Sequence, residues 1–225
     1  MLVQIYSFTH PDDVRAAVEA GVDNLGVAAG DQDVPAAISN DRARELFALV
    51  PDDRTTCALT VHTDVDAIVD YARAVEPDVL HVCSDTEVIG VDAVAAIRER
   101  VPEVDLMKAV EVAGPSAVDA AERFAPVSDW LILDTATDDV EGVGASGDTH
   151  DWSVSREVVD RVDVPVVLAG GLGPDNVAEA VRTVRPAAVD SYSHTSRSER
   201  RKDHGAVRAF VENARAAAGD PASDD

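Results

Sequence analysis

The stretch Leu168–Ala169–Gly170–Gly171–Leu172–Gly173–Pro174 follows the apolar run Pro165–Ala169 and leads into an amphipathic segment, Pro174–Val184. Glycines let backbone N–H groups come close to a phosphate, and a helix N-terminus adds a favourable dipole. The position of this turn is as informative as its composition. A doubly wound open sheet usually carries its glycine-rich turn after the first strand. Here that turn reads Thr9–His10–Pro11–Asp12, without glycine, and the glycines gather late in the chain. A late phosphate loop is a habit of the closed parallel barrel.

The rest of the chain agrees. Short apolar runs, predicted as strands, fall at Val3–Phe8, Asn24–Ala28, Thr56–Val61, Val79–Cys83, Asp105–Val110, Trp130–Leu133, Pro165–Ala169 and Ala187–Ser191. Stretches with helical apolar spacing alternate with them: Asp12–Ala20, Asp41–Leu49, Val65–Val75, Val91–Arg100, Ser116–Phe124, Val154–Arg161, Pro174–Val184 and Gly205–Ala217. Eight strand–helix units at intervals of roughly 25–30 residues predict a single-domain (β/α)8 TIM barrel. Its expected span is residues 1–218. The small, acidic segment 219–225 reads as a disordered tail.

Composition limits the partners. The 225 residues include 43 Asp+Glu against 19 Lys+Arg, a formal net charge of -24. Such a field repels nucleic acid and anionic membranes. With 46% hydrophobic residues the chain is not a disordered polyanion; the acidity fits a surface adapted to a high-salt cytoplasm. No apolar stretch approaches the roughly 20 residues needed to span a bilayer, and the N-terminus does not read as a signal peptide, so a cytoplasmic location is expected. The two cysteines, Cys57 and Cys83, lack metal-ligand spacing, and neither metal nor cofactor is expected.

In a barrel of this type the chemistry lies at the C-terminal ends of the strands. Gly170 and Gly171 with the polar end of strand eight, Ser191, Ser193, His194 and Thr195, form a candidate anion cradle. Asp134 closes a buried apolar strand, where a carboxylate is costly unless paired or used, and where partial burial suits it to general-acid work. The loop around Gly144, Ser146 and Gly147 has the composition of a mobile lid. His81 and Cys83 share one face of strand four; a thiol with lowered pKa there would be a base or nucleophile, whereas a small core residue is the commoner role. Lys108 offers either an amine for Schiff-base chemistry or an ion-pair partner for Glu111, and Tyr6 a proton donor or a half-buried strand tyrosine.

Several of these motifs together resemble phosphoribosylanthranilate isomerase, the barrel of tryptophan biosynthesis. The resemblance covers most of the chain and is strongest from Trp130 to Phe210. Leu131–Ile132–Leu133–Asp134 is similar to the family's strand-six segment with its general acid. Gly144–Ala145–Ser146–Gly147–Asp148–Thr149–His150–Asp151–Trp152 is similar to its lid loop. Leu168–Ala169–Gly170–Gly171–Leu172 with Asn176–Val177 is similar to its phosphate loop, and Val189–Asp190, Ser193 and Lys202–Asp203 to its strand-eight signature.

The departures fall on the other half. Tyr6, in Gln4–Ile5–Tyr6–Ser7–Phe8–Thr9, stands where the family's general-base cysteine belongs. Val34–Pro35–Ala36–Ala37–Ile38–Ser39 lacks the arginine that grips the anthranilate carboxylate. The family's Gln-Leu-His-Gly segment reads His81–Val82–Cys83–Ser84, and His194 replaces a glycine. A neutral tyrosine is a far poorer base than a thiolate, and loss of a base typically removes about 10²–10⁴-fold in rate.

The resemblance therefore implies a metal-free aldose–ketose (Amadori-type) isomerase of a small phosphorylated sugar, with an altered substrate. Asp134 keeps the acid role, and Cys83, or else His81 or Tyr6, supplies the base. Two alternatives stand beside it: a genuine phosphoribosylanthranilate isomerase with a rebuilt base, and a non-catalytic protein that binds a phosphorylated metabolite. In each case the expected partner is a small phosphorylated metabolite, and the chain is expected to be a monomer or a homodimer.

Overall fold

A computed structural model of the chain describes residues 1–135 and 149–219. Eight parallel strands close into a barrel in sequence order: β1 (Leu2–Ile5), β2 (Asn24–Ala28), β3 (Thr55–Thr60), β4 (Val79–Val82), β5 (Asp105–Val112), β6 (Trp130–Thr135), β7 (Val166–Leu168) and β8 (Ala188–Ser191). The ring is sealed by β1 pairing with β8, Gln4 opposite Asp190 and Ile5 opposite Ser191. The helices are α1 (Pro11–Ala20), α2 (Asn40–Phe47), α3 (Val65–Val75), α4 (Val91–Arg100), α5 (Ser116–Phe124), α6 (Trp152–Arg161), α7 (Val177–Val184) and α8 (His204–Gly219).

Both faces of the strands are apolar, so the alternation of side chains divides the core in two. Residues such as Ile5, Val27, Leu80, Leu106, Leu133 and Val189 pack outward against the helices. A second layer, including Tyr6, Cys57, Cys83, Met107, Ile132 and Ala188, fills the barrel. The helices begin and end where local chemistry dictates. The Asp64 carboxylate accepts from the Ala67 amide at the start of α3. Pro11 opens α1, and Gly21, in the left-handed region, closes it.

The departures from the sequence reading lie at the mouth. Strand β1 stops at Ile5 rather than Phe8, because Ser7 turns the backbone into the left-handed region (φ 66°). Strand β6 runs two residues beyond Leu133, pairing Asp134 with Glu111 and Thr135 with Val112. Helix α7 begins at Val177, not Pro174, because Asn176 ties up the preceding turn: its Oδ1 accepts from the Gly173 amide and its Nδ2 donates to the Gly171 carbonyl. After β8 comes a 3-10 turn, Ser193–Thr195, and a short hairpin, β9 (Ser196–Ser198) with β10 (Arg201–Lys202), in a region expected as plain polar loop. Helix α8 extends through Gly219, one residue past the expected barrel boundary. Among the described residues no helix is long and apolar enough to cross a membrane.

Candidate active site

The β7–β8 side of the mouth is built from backbone. Gly170 (φ 80°) and Gly171 (φ 61°) both occupy the left-handed region that side-chain-bearing residues avoid. At 170 there is also no space: a Cβ would lie 2.2 Å from Thr135 Oγ1 and 3.0 Å from His150 Nδ1. Among the described residues the amides of Gly171 and Leu172, and of Ser193 across from them, donate to no backbone carbonyl. Unspent N–H groups on two adjoining turns are what an anion needs. The hydroxyls shape the turns instead. Ser191 Oγ donates to Leu172 O (2.7 Å), and Thr195 Oγ1 donates to Tyr192 O (3.2 Å). His194 packs under Gly173, where a Cβ would come within 2.6 Å of its own. Gly170, Gly171, Ser191, Ser193, His194 and Thr195 are thus brought together. The proposed lid residues Gly144, Ser146 and Gly147 lie outside the described residues.

His150 and Thr135 were not read from the sequence as site residues. His150 Nδ1 meets Thr135 Oγ1 at 3.2 Å and its Nε2 meets Ser155 Oγ at 2.6 Å; burial lowers its pKa to about 4, so it is neutral. The pair braces the end of β6 against the Gly170 turn. Asp134, one residue earlier, faces the barrel axis, and its Oδ1 accepts from the Thr135 amide at 2.7 Å.

The β1–β4 side is built from side chains. The Tyr6 hydroxyl sits 2.8 Å from Cys57 Sγ and 2.9 Å from His81 Nδ1. Its ring lies on Gly26, where a Cβ would be only 2.4 Å away; glycine at 26 is what admits a tyrosine at 6. All three expected base candidates are buried. Burial holds Tyr6 well above its usual pKa, with Cys57 adding to the effect. Burial and then the Lys108 charge push His81 down to about 3. Burial and then the Asp134 charge push the Cys83 thiol up to about 12. Near neutral pH these are a phenol, a weakly basic imidazole and a thiol, none of them a ready proton acceptor.

Lys108 does not reach the mouth. Its ammonium lies outside the barrel, 5.5 Å from the Phe124 ring centre, and donates to Ser84 O (2.6 Å) and Ala109 O (2.7 Å). An alternating strand sends residue 108 to the face opposite Met107, and the Schiff-base option ends there. It does not pair with Glu111 either; it pins the backbone on the far side of Cys83.

Asp190, named from the sequence only as part of the strand-eight signature, was given no chemical role there. It is 8% exposed, and its Oδ1 has no hydrogen-bond partner among the described residues. It lines a cavity of about 40 Å³ with Tyr6, Ser7, Val34, Leu59 and Tyr192. Burial and then the neighbouring Asp134 charge push its pKa up to about 8. The Asp134 charge thus opposes ionisation of Asp190. The available signal was its register: residues 188, 190 and 192 point into the barrel together.

Among the described residues no cluster of His, Cys, Asp or Glu could hold a metal ion. Behind the hairpin, Lys202 is sealed between the Tyr192 and Phe8 rings (4.9 and 5.6 Å), its Nζ donating to Ser196 Oγ. The buried Asp13 accepts from Arg201, His204 and the Lys202 amide, fastening the hairpin to α1.

Comparison with known proteins places this geometry. The family model for N-(5'phosphoribosyl)anthranilate (PRA) isomerase matches residues 3–213. The N-(5'-phosphoribosyl)anthranilate isomerase of Haloferax volcanii is 43% identical over 218 residues, covering 96% of this chain and 94% of that one. The Halobacterium salinarum enzyme is 40% identical over 216 residues, 95% of each chain. Both come from halophilic archaea, in keeping with the acidic surface. The crystal structure of the Thermotoga maritima isomerase superposes with a TM-score of 0.81 at 29% identity, covering 96% of this chain and 99% of that one. A structure of the isomerase with reduced 1-(O-carboxyphenylamino)-1-deoxyribulose 5-phosphate superposes with a TM-score of 0.78 at 27% identity and the same coverage. The chain belongs to the N-(5'-phosphoribosyl)anthranilate isomerase family.

Proposed function

We propose that the chain isomerises N-(5'-phosphoribosyl)anthranilate to its aminoketose in tryptophan biosynthesis, as a cytoplasmic enzyme without cofactor, with a base other than the family's cysteine. The observation that carries this reading is the pair of left-handed glycines, Gly170 and Gly171, whose turn adjoins the carboxylate end of β6. The free amides of that turn and of Ser193 hold the 5'-phosphate, and the ribose then extends across the mouth towards β1. Asp134 protonates the ring oxygen, the C1–O bond breaks, and the anilinic nitrogen forms an imine with C1. Removal of the proton at C2 gives the enol, which becomes the ketone. The expectation of a changed substrate finds no support among the relatives, which are named for this one. Turnover of phosphoribosylanthranilate by the purified chain in high salt, and rescue of a tryptophan auxotroph lacking this step, are the expected results. No turnover, with phosphate-dependent binding kept, returns the chain to a metabolite-binding role.

A second reading rests on the cavity beside Asp190. Its lining carries a carboxylate and no cation, and its volume of about 40 Å³ is well below the roughly 150 Å³ of a cavity that admits benzene. Such a space favours the same reaction on a phosphoribosyl amine with a smaller, uncharged nitrogen substituent. Comparing kcat/KM for that amine and for the anthranilate decides between the two.

A further inference from the structure

We infer that Asp190, at the end of β8, is the proton acceptor that removes the C2 hydrogen of the sugar, the role left vacant by the tyrosine at position 6. This deepens the isomerase reading above and rests on it.

Position is the first ground. Asp190 is paired in register with Gln4 on β1, and the next inward residue, just past the end of β1, is Tyr6. A carboxylate on β8 therefore borders the same quadrant of the mouth as the residue that has replaced the cysteine. It also belongs to the strand that leads into the Ser193–Thr195 turn. A ligand held there by its phosphate passes directly over it, and both Asp190 and Tyr6 line the adjoining cavity.

The second ground is the state of the carboxylate. Asp13, the other buried aspartate among the described residues, uses both of its oxygens on Arg201, His204 and the Lys202 amide. Asp190 leaves its buried Oδ1 with no partner among the described residues. An unsatisfied carboxylate oxygen is costly and is kept where a ligand or a proton completes it.

Third, the alternatives are worse. Tyr6, His81 and Cys83 are each buried in the form that binds a proton poorly. A carboxylate raised to about 8 is a far stronger base than an ordinary one, and it is ionised in a useful fraction near neutral pH. The Asp134 charge is the second cause of that rise, so the carboxylate assigned as acid lies close to the one assigned as base. Lys202, behind the Tyr192 ring, is the nearby cation that favours its charged form.

The step balances without any further reagent. Asp134 gives its proton to the ring oxygen as C1–O breaks. The Asp190 carboxylate takes the C2 proton; the C2–H electron pair becomes the C1=C2 bond, and the imine pair returns to nitrogen. Reprotonation at C1 and loss of the enol proton give the ketone and restore both carboxylates to their starting states.

The test is Asp190→Asn in the full chain, assayed with phosphoribosylanthranilate beside the unaltered protein. Expected is a fall in kcat of at least 100-fold, loss of the rise in rate towards pH 8, and loss of solvent-deuterium exchange at C2. Affinity for the reduced deoxyribulose 5-phosphate analogue should stay within about fivefold, which a merely structural role would not allow. Asp190→Glu, which keeps the carboxylate, should recover part of the exchange and guards against a misfolded amide variant. If Asp190→Asn turns over within fivefold of the parent, or loses analogue affinity in step with rate, the assignment falls while the isomerase reading stands. If the parent itself does not turn over, the isomerase reading falls and takes this assignment with it.

Discussion

The two halves of the barrel mouth are built from different materials. At the ends of β7 and β8 the groups presented at the mouth are peptide N–H donors, those of Gly171, Leu172 and Ser193. At the ends of β1 to β4 they are the side chains of Tyr6, Cys57, His81 and Cys83. A backbone donor set depends on φ values that only a few residues adopt, so its sequence signature persists while the surrounding chemistry changes. A side-chain set changes one residue at a time. A tyrosine in place of a cysteine needs only a glycine opposite, and Gly26 supplies it. Binding and chemistry can therefore diverge separately on one scaffold.

The comparison is most exposed at Asp134, which stands between the halves. Asp134→Asn should lower kcat by about 10²–10⁴-fold, with KM changed little, if the carboxylate gives up a proton in the rate-limiting passage. An unaltered kcat would move the acid to the β1–β4 side and undo the division. Next in size is Gly170→Ala. The new methyl meets Thr135 and His150 on a backbone that side chains avoid. The strain costs about 1–3 kcal/mol, and KM for a phosphorylated substrate should rise about 10–100-fold while kcat falls much less. A change in kcat alone would mean that the turn positions the reacting carbons rather than the phosphate.

Stability separates the halves in a further way. The hairpin beyond β8 is held by Asp13, whose carboxylate is buried under Arg201 and His204. Burial alone would raise its pKa, but hydrogen bonds from Arg201, His204 and the Lys202 amide outweigh it and hold the group below its usual value. A depressed carboxylate contributes stability above its unfolded pKa, about 4, and loses that contribution as pH falls through the folded value. Asp13→Asn should cost about 1–3 kcal/mol in a denaturant titration at pH 7. The gap to the parent should close in acid. A gap that is constant with pH would show that packing, not charge, secures the hairpin.

The sequence revealed most of the barrel and about half of the mouth, for reasons that particular residues make plain. Strand and helix periodicity is repeated eight times, so errors of a few residues at the ends left the topology intact. The glycine turn was legible because Gly170 and Gly171 are required by backbone geometry. Asp134 was legible because a carboxylate ending Leu131–Ile132–Leu133 is out of place in an apolar strand. Asp190 was legible only as part of the strand-eight signature and not as a chemical group, because it is flanked by Ser191, Tyr192 and Ser193 and looks like one more polar residue in a polar loop. Lys108 and Lys202, the only lysines in the chain, gave no hint that both are buried. Which face a strand residue takes depends on register, and at position 108 the alternation turned the ammonium away from the site.

The smallest expected effect, Tyr6→Phe, asks whether β1 still takes part in the chemistry. Removing the hydroxyl deprives Cys57 and His81 of a buried partner, for which a loss of about 1 kcal/mol is expected. The phenol is held far above its usual pKa, first by burial and then by Cys57, so it is not a proton acceptor at any pH where the barrel functions. The rate should therefore change by no more than about threefold, with the pH profile unmoved. A 100-fold loss of kcat with normal stability would mean that the hydroxyl donates to a developing charge in the transition state. The β1–β4 side would then have rebuilt its chemistry in place rather than ceded it to β8.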